Sequence, residues 1–388
     1  MIWQFHPATQ FQIHAAEWDG VNREGADSPL LSTRFVAPLL AEFACGREIL
    51  ACCRIDGQCC AMLLLAPVGR STWQTFQPSQ APLGACVHRK GIDWAGCLAA
   101  LVKQLPGLVT LLGVTQQDPD IDPRPADAAG RRTLDYIRTA RITVAGSFDD
   151  YWEKRGKNLR QNLKKQRNRL ARDGIATRLQ ISTATEDMAQ AVSDFGHLES
   201  TGWKGDSGTA VHADDAQGRF YRAMLENFCR GGAGRIFRYW YDLQLVAMDL
   251  CIEGNDSIII LKTAYDEKVV GGTTSPALLM RQEETALLFG EGHLRRIEFY
   301  GKVLEWHTRW SDEVRIMYHL NVYRWPMILR LHDLLHRKGA ASDAENTSTT
   351  AVVTNTIANA AARSSGKSAG NSADTSRATN ATAGDAAG

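Results

Sequence analysis

The sequence lacks three things: a charge bias, a long apolar run and a regular cysteine framework. It has 44 Lys and Arg against 43 Asp and Glu, and this net charge of +1 gives the whole chain no preference for nucleic acid or anionic membranes. Its most apolar stretches, such as 59–68, are far shorter than the ~20 residues that span a bilayer. Residues 1–14 lack the basic start and apolar run of a secretory signal. We therefore expect no membrane insertion and a cytoplasmic location.

The 9 cysteines include two adjacent pairs, Cys52–Cys53 and Cys59–Cys60, on either side of Asp56-Gly57. An odd count does not suggest a disulfide framework, and a reducing compartment suits it better. An Asp-Gly pair between two apolar runs predicts a hairpin over 48–65. Because neighbouring strand residues point to opposite faces, only alternate thiols can converge. We predict that these cysteines are buried small side chains and that the chain has no metal site.

Length and composition divide the chain into two folded parts and a tail. A chain of 388 residues suits two domains with an extra segment, and 44% hydrophobic residues are enough to form a core. We place the three parts at 1–150, 151–338 and 339–388. The last part is dominated by Ala, Ser, Thr, Asn and Gly, which bury too little surface to offset the entropy of ordering. We therefore predict a disordered C-terminal tail.

Apolar periodicity and turn residues predict helices and strands in both folded parts. The predicted helices are 16–22, 32–44, 94–104, 154–172, 186–200, 217–230 and 276–290. The predicted strands beyond the hairpin are 108–114, 177–182, 234–241, 245–253, 257–265 and 296–300. The order after residue 175, β-α-α-β-β-β-α-β, is typical of an α/β sheet flanked by helices.

The helix predicted over 154–172 is strongly basic. Nine basic residues and no acidic one lie between Glu153 and Asp173. Such a helix is either a patch for an anionic partner, such as coenzyme phosphates, a polyanionic glycan or tRNA, or a solvated face balanced by acidic surface elsewhere. Interleaved aromatic residues, which favour single-stranded nucleic acid, are missing from it.

Five segments of the second part share their order and spacing with a known superfamily. They are KRGKNLRQNLKKQRNRLARDG, LESTGWKGDSGTAV, GRIFRYWYDLQLVAMDLCI, LKTAYDEKVVGGTTSPALLM and IEFYGKVLEWHTRW. In these segments the chain resembles the GNAT acetyltransferases, and more closely their CelD/FemAB-like branch. The resemblance implies an α/β fold of two GNAT-like halves, with mixed sheets flanked by helices and a tail. It also implies an acyltransferase that uses acetyl-CoA or another acyl-CoA, without a metal.

The acyl donor carries phosphates, which backbone N–H groups at a helix N-terminus can hold. The loop before Pro276 suits this role, since glycine permits close approach and proline favours the first helical turn. The predicted donor-binding residues are Gly271, Gly272, Thr273, Thr274 and Ser275. The alternative is a plain capped helix. Where relatives carry Gln/Arg-x-x-Gly-x-Gly/Ala, this chain has GGTTSP.

Transfer to an amine needs a general base and a proton donor for the leaving thiolate. The candidate catalytic residues are Glu199, Asp249, Tyr265 and His307. The candidate substrate-binding residues are Trp203, Lys204, Asp266 and Lys302. Asp249 stands in an apolar strand, where an acid needs a partner or a cleft, and His307 stands where relatives often carry Lys. Each residue also has an ordinary structural role open to it, such as packing or a turn.

Three functions follow from these patterns. The first is an N-acyltransferase that acts on an amine of a small molecule, a sugar or an envelope or polysaccharide precursor. The second is a FemAB-type ligase that takes an aminoacyl group from tRNA, with the basic helix along the RNA. The third is a non-catalytic scaffold that keeps the fold.

Overall fold

The computed structural model describes residues 1–201, 211–266, 268–272 and 274–329. These residues form a mixed α/β fold, which confirms the predicted fold class. They lie in a single compact unit. The tail predicted over 339–388 lies outside the described residues, and the domain boundary predicted at residue 150 falls inside a short helix and stays a prediction. Among the described residues, no helix combines the length and hydropathy that crossing a membrane requires.

The strands are numbered in chain order. They are β1 Ile2–Pro7, β2 Ile49–Ile55, β3 Gln58–Pro67, β4 Thr72–Thr75, β5 Cys86–His88, β6 Leu111–Gln117, β7 Arg131–Thr143, β8 Thr177–Ser182, β9 Gly234–Tyr241, β10 Gln244–Gly254, β11 Ser257–Tyr265, β12 Arg296–Phe299 and β13 Glu313–Tyr323. The α-helices of the described segments are α1 Ala15–Glu24, α2 Thr33–Phe43, α3 Trp94–Gln104, α4 Phe148–Glu153, α5 Lys157–Arg172, α6 Met188–Thr201, α7 Ala216–Arg230, α8 Pro276–Gly290 and α9 Glu305–Trp310.

All of these strands belong to one continuous sheet. Its order is β1-β2-β3-β4-β6-β13-β7-β12-β11-β10-β9-β8, and β5 pairs with β3 beside this path. The pairs β4–β6 and β11–β12 are parallel, and every other pair in the described sheet is antiparallel. A helix connects each parallel pair, as a parallel crossover requires. The sheet therefore has an N-terminal half that begins with β1 and a C-terminal half that begins with β8, each with one parallel pair.

The two halves exchange their innermost strands. β7 precedes the C-terminal half in sequence, yet it lies between β13 and β12, while β13 ends the described chain and pairs with β6 of the N-terminal half. The exchanged strands pair with each other, with Arg315 opposite Thr139. Neither strand was predicted, because charged residues interrupt the apolar alternation that marks a half-buried strand.

Helices cover both faces of the sheet. One face holds α1, α2, α6 and α7 in a shared apolar core, where Phe35 of α2 meets Phe220 of α7 edge to face at 5.4 Å. The other face holds α3 over the N-terminal half and α5 with α8 over the C-terminal half. Fully burying one such large apolar side chain contributes about 1.5–3 kcal/mol. The shared core therefore joins the two halves in addition to the sheet.

The hairpin and the basic helix form as predicted. Asp56 and Gly57 both have positive φ, +51° and +82°, as a two-residue hairpin turn requires. The strand alternation sends Cys52 and Cys59 into one core and Cys53 and Cys60 into the opposite one. The helix α5 ends before Gly174, whose φ of +73° favours glycine.

Candidate functional site

The parallel strands β11 and β12 separate at their carboxyl ends. They pair from Ser257 with Arg296 to Ile260 with Phe299, where the ladder between them ends. β11 continues to Tyr265, still paired with β10, and α8 begins eleven residues farther along the chain. We call this place the strand fork, with residues 261–265 on one arm and Tyr300 at the end of the other. Ligands of α/β sheets bind at such carboxyl ends.

A buried acid and a lysine lie together on the β11 arm of the fork. Glu199, at the end of α6, is 4% exposed, and its Oε1 is 3.3 Å from Nζ of Lys262 on β11. The other carboxylate oxygen accepts the N–H of Val211 at 3.0 Å. The Lys262 ammonium also lies 5.6 Å and 5.5 Å from the ring centroids of Phe195 and Tyr221. The predicted base Glu199 is thus held beside a cation that no sequence spacing singled out.

Tyr265 ends the β11 arm, where 38% of the residue is exposed. Its neighbour Asp266 is held in a turn, since its carboxylate accepts the N–H of Lys268 at 2.8 Å and a hydrogen bond from Gln244 at 3.3 Å. Tyr265 is thus partly exposed at the end of the arm, and its catalytic role stays a prediction. Asp266 acts as a turn residue, and its contact with substrate stays a prediction too.

Asp249 lies in a buried charge network beneath α8. The residue is completely buried, and its Oδ2 is 2.6 Å from Arg281, which also donates to Glu284 at 2.6 Å and to Thr263 at 3.3 Å. Burial raises the pKa of Glu284 well above its usual value, with the Asp249 charge as a further cause. The network ties α8 to β10 and β11. It favours a structural role for Asp249 over the predicted catalytic one.

The two carboxylates of this network and the neighbouring Cys251 are residue types that can bind a metal ion. Oxygen or sulfur atoms of Asp249, Cys251 and Glu284 lie within 4.8 Å of one another, and so do the thiols of a second set, Cys53, Cys60 and Cys97. The guanidinium of Arg281 already supplies the positive charge beside the carboxylates. Burial raises the pKa of the Cys97 thiol to about 11, so this thiol is protonated near neutral pH in the metal-free protein. The absence of a metal stays a prediction.

His307 caps the short helix α9. Its Nδ1 accepts the N–H of Leu304 at 2.9 Å, so its remaining proton lies on Nε2. Burial lowers its pKa to about 4, and the ring stacks on Trp306 at 3.6 Å. Neither ring nitrogen offers a lone pair to a substrate, and this favours a capping role over the predicted general base. The nearby Lys302 is exposed.

The predicted donor loop is partly occupied by protein side chains. The N–H of Ser275 donates to Oε1 of Gln166 on α5 at 2.7 Å, and the hydroxyl groups of Thr274 and Tyr241 are 3.3 Å apart. Gly272 has a φ of +69°, and Gly271 lies in the same short turn. Thr273, and the predicted Trp203 and Lys204, lie outside the described residues.

A second buried polar cluster stands on the β12 arm of the fork. The Tyr300 hydroxyl donates to Asp118 at 2.9 Å, and Arg315 of β13 lies 2.8 Å from both Asp118 and Glu298. Burial raises the pKa of Glu298 and Tyr300. These residues come from three separate stretches of the chain, so no local motif could have revealed them. The cluster fixes the β12 arm to the N-terminal half.

Comparison with known proteins identifies the C-terminal half. Residues 157–311, about two fifths of the chain, match the family model described as "Acetyltransferase (GNAT) domain". This range contains both arms of the fork, α5 and α8. No curated protein matches the chain.

Solved structures share the fold across both halves. A C-terminal domain (DUF2156) assigned to a lysylphosphatidylglycerol synthetase of Agrobacterium fabrum is 13% identical, with a TM-score of 0.51, over 84% of this chain and 94% of that one. FemX is 9% identical with a TM-score of 0.53, over 86% of this chain and 99% of that chain. A Bacteroides thetaiotaomicron protein of unknown function is 10% identical with a TM-score of 0.50, over 83% and 100%. These likenesses concern the fold alone, and the chain carries a GNAT-type acetyltransferase domain at 157–311.

Proposed function

We propose that the C-terminal half transfers an acyl group from an acyl-CoA thioester to an amine. The observation that carries this proposal is the strand fork. The parallel pair β11–β12 opens at its carboxyl end inside the range that matches the acetyltransferase domain, and a buried acid–lysine pair and a tyrosine stand on the open arm.

The open arm of β11 suits the donor. An extended ligand with amide groups can pair with the edge of a strand, as an added strand does. The arm of coenzyme A that bears the thiol contains two amides, so residues 261–265 can hold it in extended form. This would bring the thioester to the fork, where the strand alternation directs Lys262 to the α6 face and Tyr265 to the α8 face.

The residues of the fork can move the protons that the reaction requires. The amine attacks the thioester carbon, a C–N bond forms, and the C–S bond breaks. Glu199 takes the proton that the amine loses, Lys262 keeps this carboxylate in place, and Tyr265 gives a proton to the departing thiolate. The acceptor class, an amine of a small molecule, a sugar or an envelope or polysaccharide precursor, and a cytoplasmic location belong to the same proposal.

Two measurements test the proposal. Acetyl-CoA and other acyl-CoAs should raise the melting temperature more than buffer does, and a panel of amines should release free thiol from the bound thioester. Glu199→Gln should lower kcat by roughly 10²–10⁴-fold and remove the acidic limb of the pH profile. Because Glu199 is buried, its variant must first show a cooperative melting transition. No stabilisation by any thioester and no thiol release would reject the proposal.

Tyr265→Phe has a matched control in the N-terminal half. Tyr136 on β7 is 40% exposed, close to the 38% of Tyr265, and lies outside the fork. Tyr265→Phe should lower kcat by roughly 10²-fold while Tyr136→Phe leaves it unchanged. An equal effect of the two variants would show that Tyr265 has no part in the chemistry.

Aminoacyl transfer from tRNA is the second candidate. The cations of α5 favour it, since an exposed basic helix can follow a phosphate backbone. It predicts retention on tRNA without stabilisation by any thioester, and loss of that retention on charge reversal at Lys164 and Lys165. If the chain shows neither stabilisation by a thioester nor retention on tRNA, the result would indicate a scaffold without activity.

A further inference from the structure

An open groove of about 520 Å³ runs beside the basic helix α5, where α5 meets α8. Four cations line it: Lys157, Arg160, Lys164 and Arg167. The Trp152 ring and the amides of Gln161, Asn168 and Gln282 complete the lining. We call this feature the α5 groove. Its volume lies within the range of about 300–1,000 Å³ that is typical of small-molecule sites.

The spacing of the cations places them on one side of the helix. Residues 157, 160, 164 and 167 recur at i, i+3, i+7 and i+10, which is one stripe of an α-helix. A second stripe, Leu159, Leu163, Gln166 and Leu170, is buried against the core. Because the buried stripe fixes the rotation of α5, the cationic stripe is directed into the groove.

Among residues 154–172 of the described chain, five cations lack an ion pair with a carboxylate; three of them line the groove, and Lys154 and Lys165 lie outside it. Outside it, Arg169 and Arg172 both pair with Asp173, and Arg155 pairs with Asp312. Inside it, Arg167 pairs with Glu283.

The remaining groove cations are Lys157, Arg160 and Lys164. No carboxylate of the described part of the chain lies within ion-pair distance of them. Within the described residues, the Arg160 side chain donates one hydrogen bond, to the carbonyl oxygen of Arg155. A groove with three unneutralised cations attracts an anion of more than one charge.

We propose that the α5 groove binds the diphosphate group of a small molecule, such as a coenzyme or a nucleoside diphosphate. Lys157 and Lys164 are seven residues apart, which is about 10 Å along a helix axis, so the stripe spans two linked phosphates and the atoms next to them. Lysine and arginine both bind phosphate oxygens through charge-assisted hydrogen bonds. The inference goes beyond the proposed function, since binding in the groove does not require that the fork transfer an acyl group.

The Trp152 ring gives the groove a wall for the rest of such a ligand. It stacks on Phe148 at 5.8 Å with an interplanar angle of 15° and packs against Trp310 at 5.5 Å. A ring held in this way offers a fixed apolar surface to a base or another ring. The amides beside it can bond to polar edges of the same group.

The test uses the full chain, with inorganic pyrophosphate, ADP, UDP and coenzyme A as probes in titration calorimetry. At least one diphosphate should bind saturably with one site per chain, and raising the salt from about 50 to about 200 mM should weaken it. The matched variants are Lys164→Glu and Lys165→Glu, since both residues are exposed and adjacent but only Lys164 lines the groove. Lys164→Glu should weaken binding about tenfold or more, and Lys165→Glu about threefold at most.

Each arm of this test supports or overturns the proposal. Coenzyme A binding more tightly than pyrophosphate supports the groove as a carrier site, and tighter binding of ADP or UDP supports it as a nucleotide site. Binding of tRNA without saturable binding of any diphosphate overturns it, as does an equal loss in the two variants. Thiol release measured on the wild-type chain is a separate readout, so the proposed acyl transfer and the groove can fail independently.

Discussion

The N-terminal and C-terminal halves follow one strand plan but end their parallel pairs differently. In the N-terminal half the β4–β6 ladder stops at Gln74 and Gly113. Just beyond it the Thr75 and Thr115 hydroxyls bond at 2.6 Å, and Thr75 also accepts the Thr115 N–H. In the C-terminal half β11 continues past its last pair with β12 and carries the acid–lysine pair. We call the end of the β4–β6 pair the closed fork, because side chains fill it. The strand fork of the C-terminal half presents reactive groups.

The helices that follow the closed fork and the strand fork, α3 and α8, also differ in how their N-termini are capped. The helix α3 is capped by Asp93, whose carboxylate accepts the Gly96 N–H at 2.9 Å and places a negative charge where an anion would bind. The helix α8 begins at Pro276 without a side-chain cap from its own N-cap residue, and the neutral Gln166 takes its Ser275 N–H. These differences are consistent with the proposal that the C-terminal half carries the chemistry.

The largest expected effect comes from cutting the chain between the halves. Fragments 1–150 and 151–329 each lack a strand that lies beside their own innermost strand, because β7 and β13 are exchanged. Each fragment alone should be insoluble or lack a cooperative melting transition, whereas coexpression of both should restore one. A fragment that folds alone would show that the halves are independent domains.

The buried charge network should be the most sensitive point of the C-terminal half. Arg281→Met leaves Asp249 buried without a cationic partner, and breaking a buried pair costs about 3–5 kcal/mol. Urea unfolding measures this change. The control is Arg222→Met, which removes an exposed pair with Glu226 and should cost less than about 1 kcal/mol. Equal losses would mean that the network contributes no more than a surface pair.

The closed fork of the N-terminal half can be tested at Gly84. A Cβ added there would overlap the Thr115 carbonyl oxygen and the Thr75 hydroxyl. Gly84→Ala should therefore cost about 1–3 kcal/mol in unfolding free energy. Gly20→Ala is the matched control, since nothing lies near its Cβ position on α1, and it should stabilise by about 0.5–1 kcal/mol. A neutral Gly84→Ala would show that this fork has room to open.

The smallest effect concerns the pH dependence of the C-terminal half. The folded-state pKa of Glu284 is raised, chiefly by burial, so its stabilising contribution is complete below the unfolded pKa of about 4.3 and is lost as pH rises through the folded value. Glu284→Gln removes this loss. Between pH 5 and 8 the unfolding free energy of the wild type should fall more steeply than that of the variant. Parallel pH curves would mean that Glu284 is ionised throughout.

Sequence patterns of neighbouring residues predicted most helices and strands, whereas contacts between residues far apart in sequence form the candidate site. The hairpin turn at Asp56-Gly57 and the end of α5 at Gly174 depend on residues close in sequence, and both were predicted correctly. The innermost strands were missed because their charged residues are half-buried and paired across the sheet, as Arg141 is with Glu313.

The sequence separation of contacting residues also explains which candidate site residues the sequence suggested and which it did not. Glu199 and Tyr265 were suggested because the resemblance marks their segments, and their catalytic roles stay predictions. Lys262 was missed because its role depends on an acid 63 positions away, and Tyr300 because its partner is Asp118 in the other half. A single sequence carries no record of such contacts.

The exchange of β7 and β13 also constrains how the chain can be synthesised. A ribosome that adds about 5–20 residues each second completes β7 roughly 10–40 s before β13 emerges. During that interval β7 has neither neighbour, since both β12 and β13 are still to come. The nascent N-terminal half therefore has an unprotected strand edge until β12 and β13 have been synthesised.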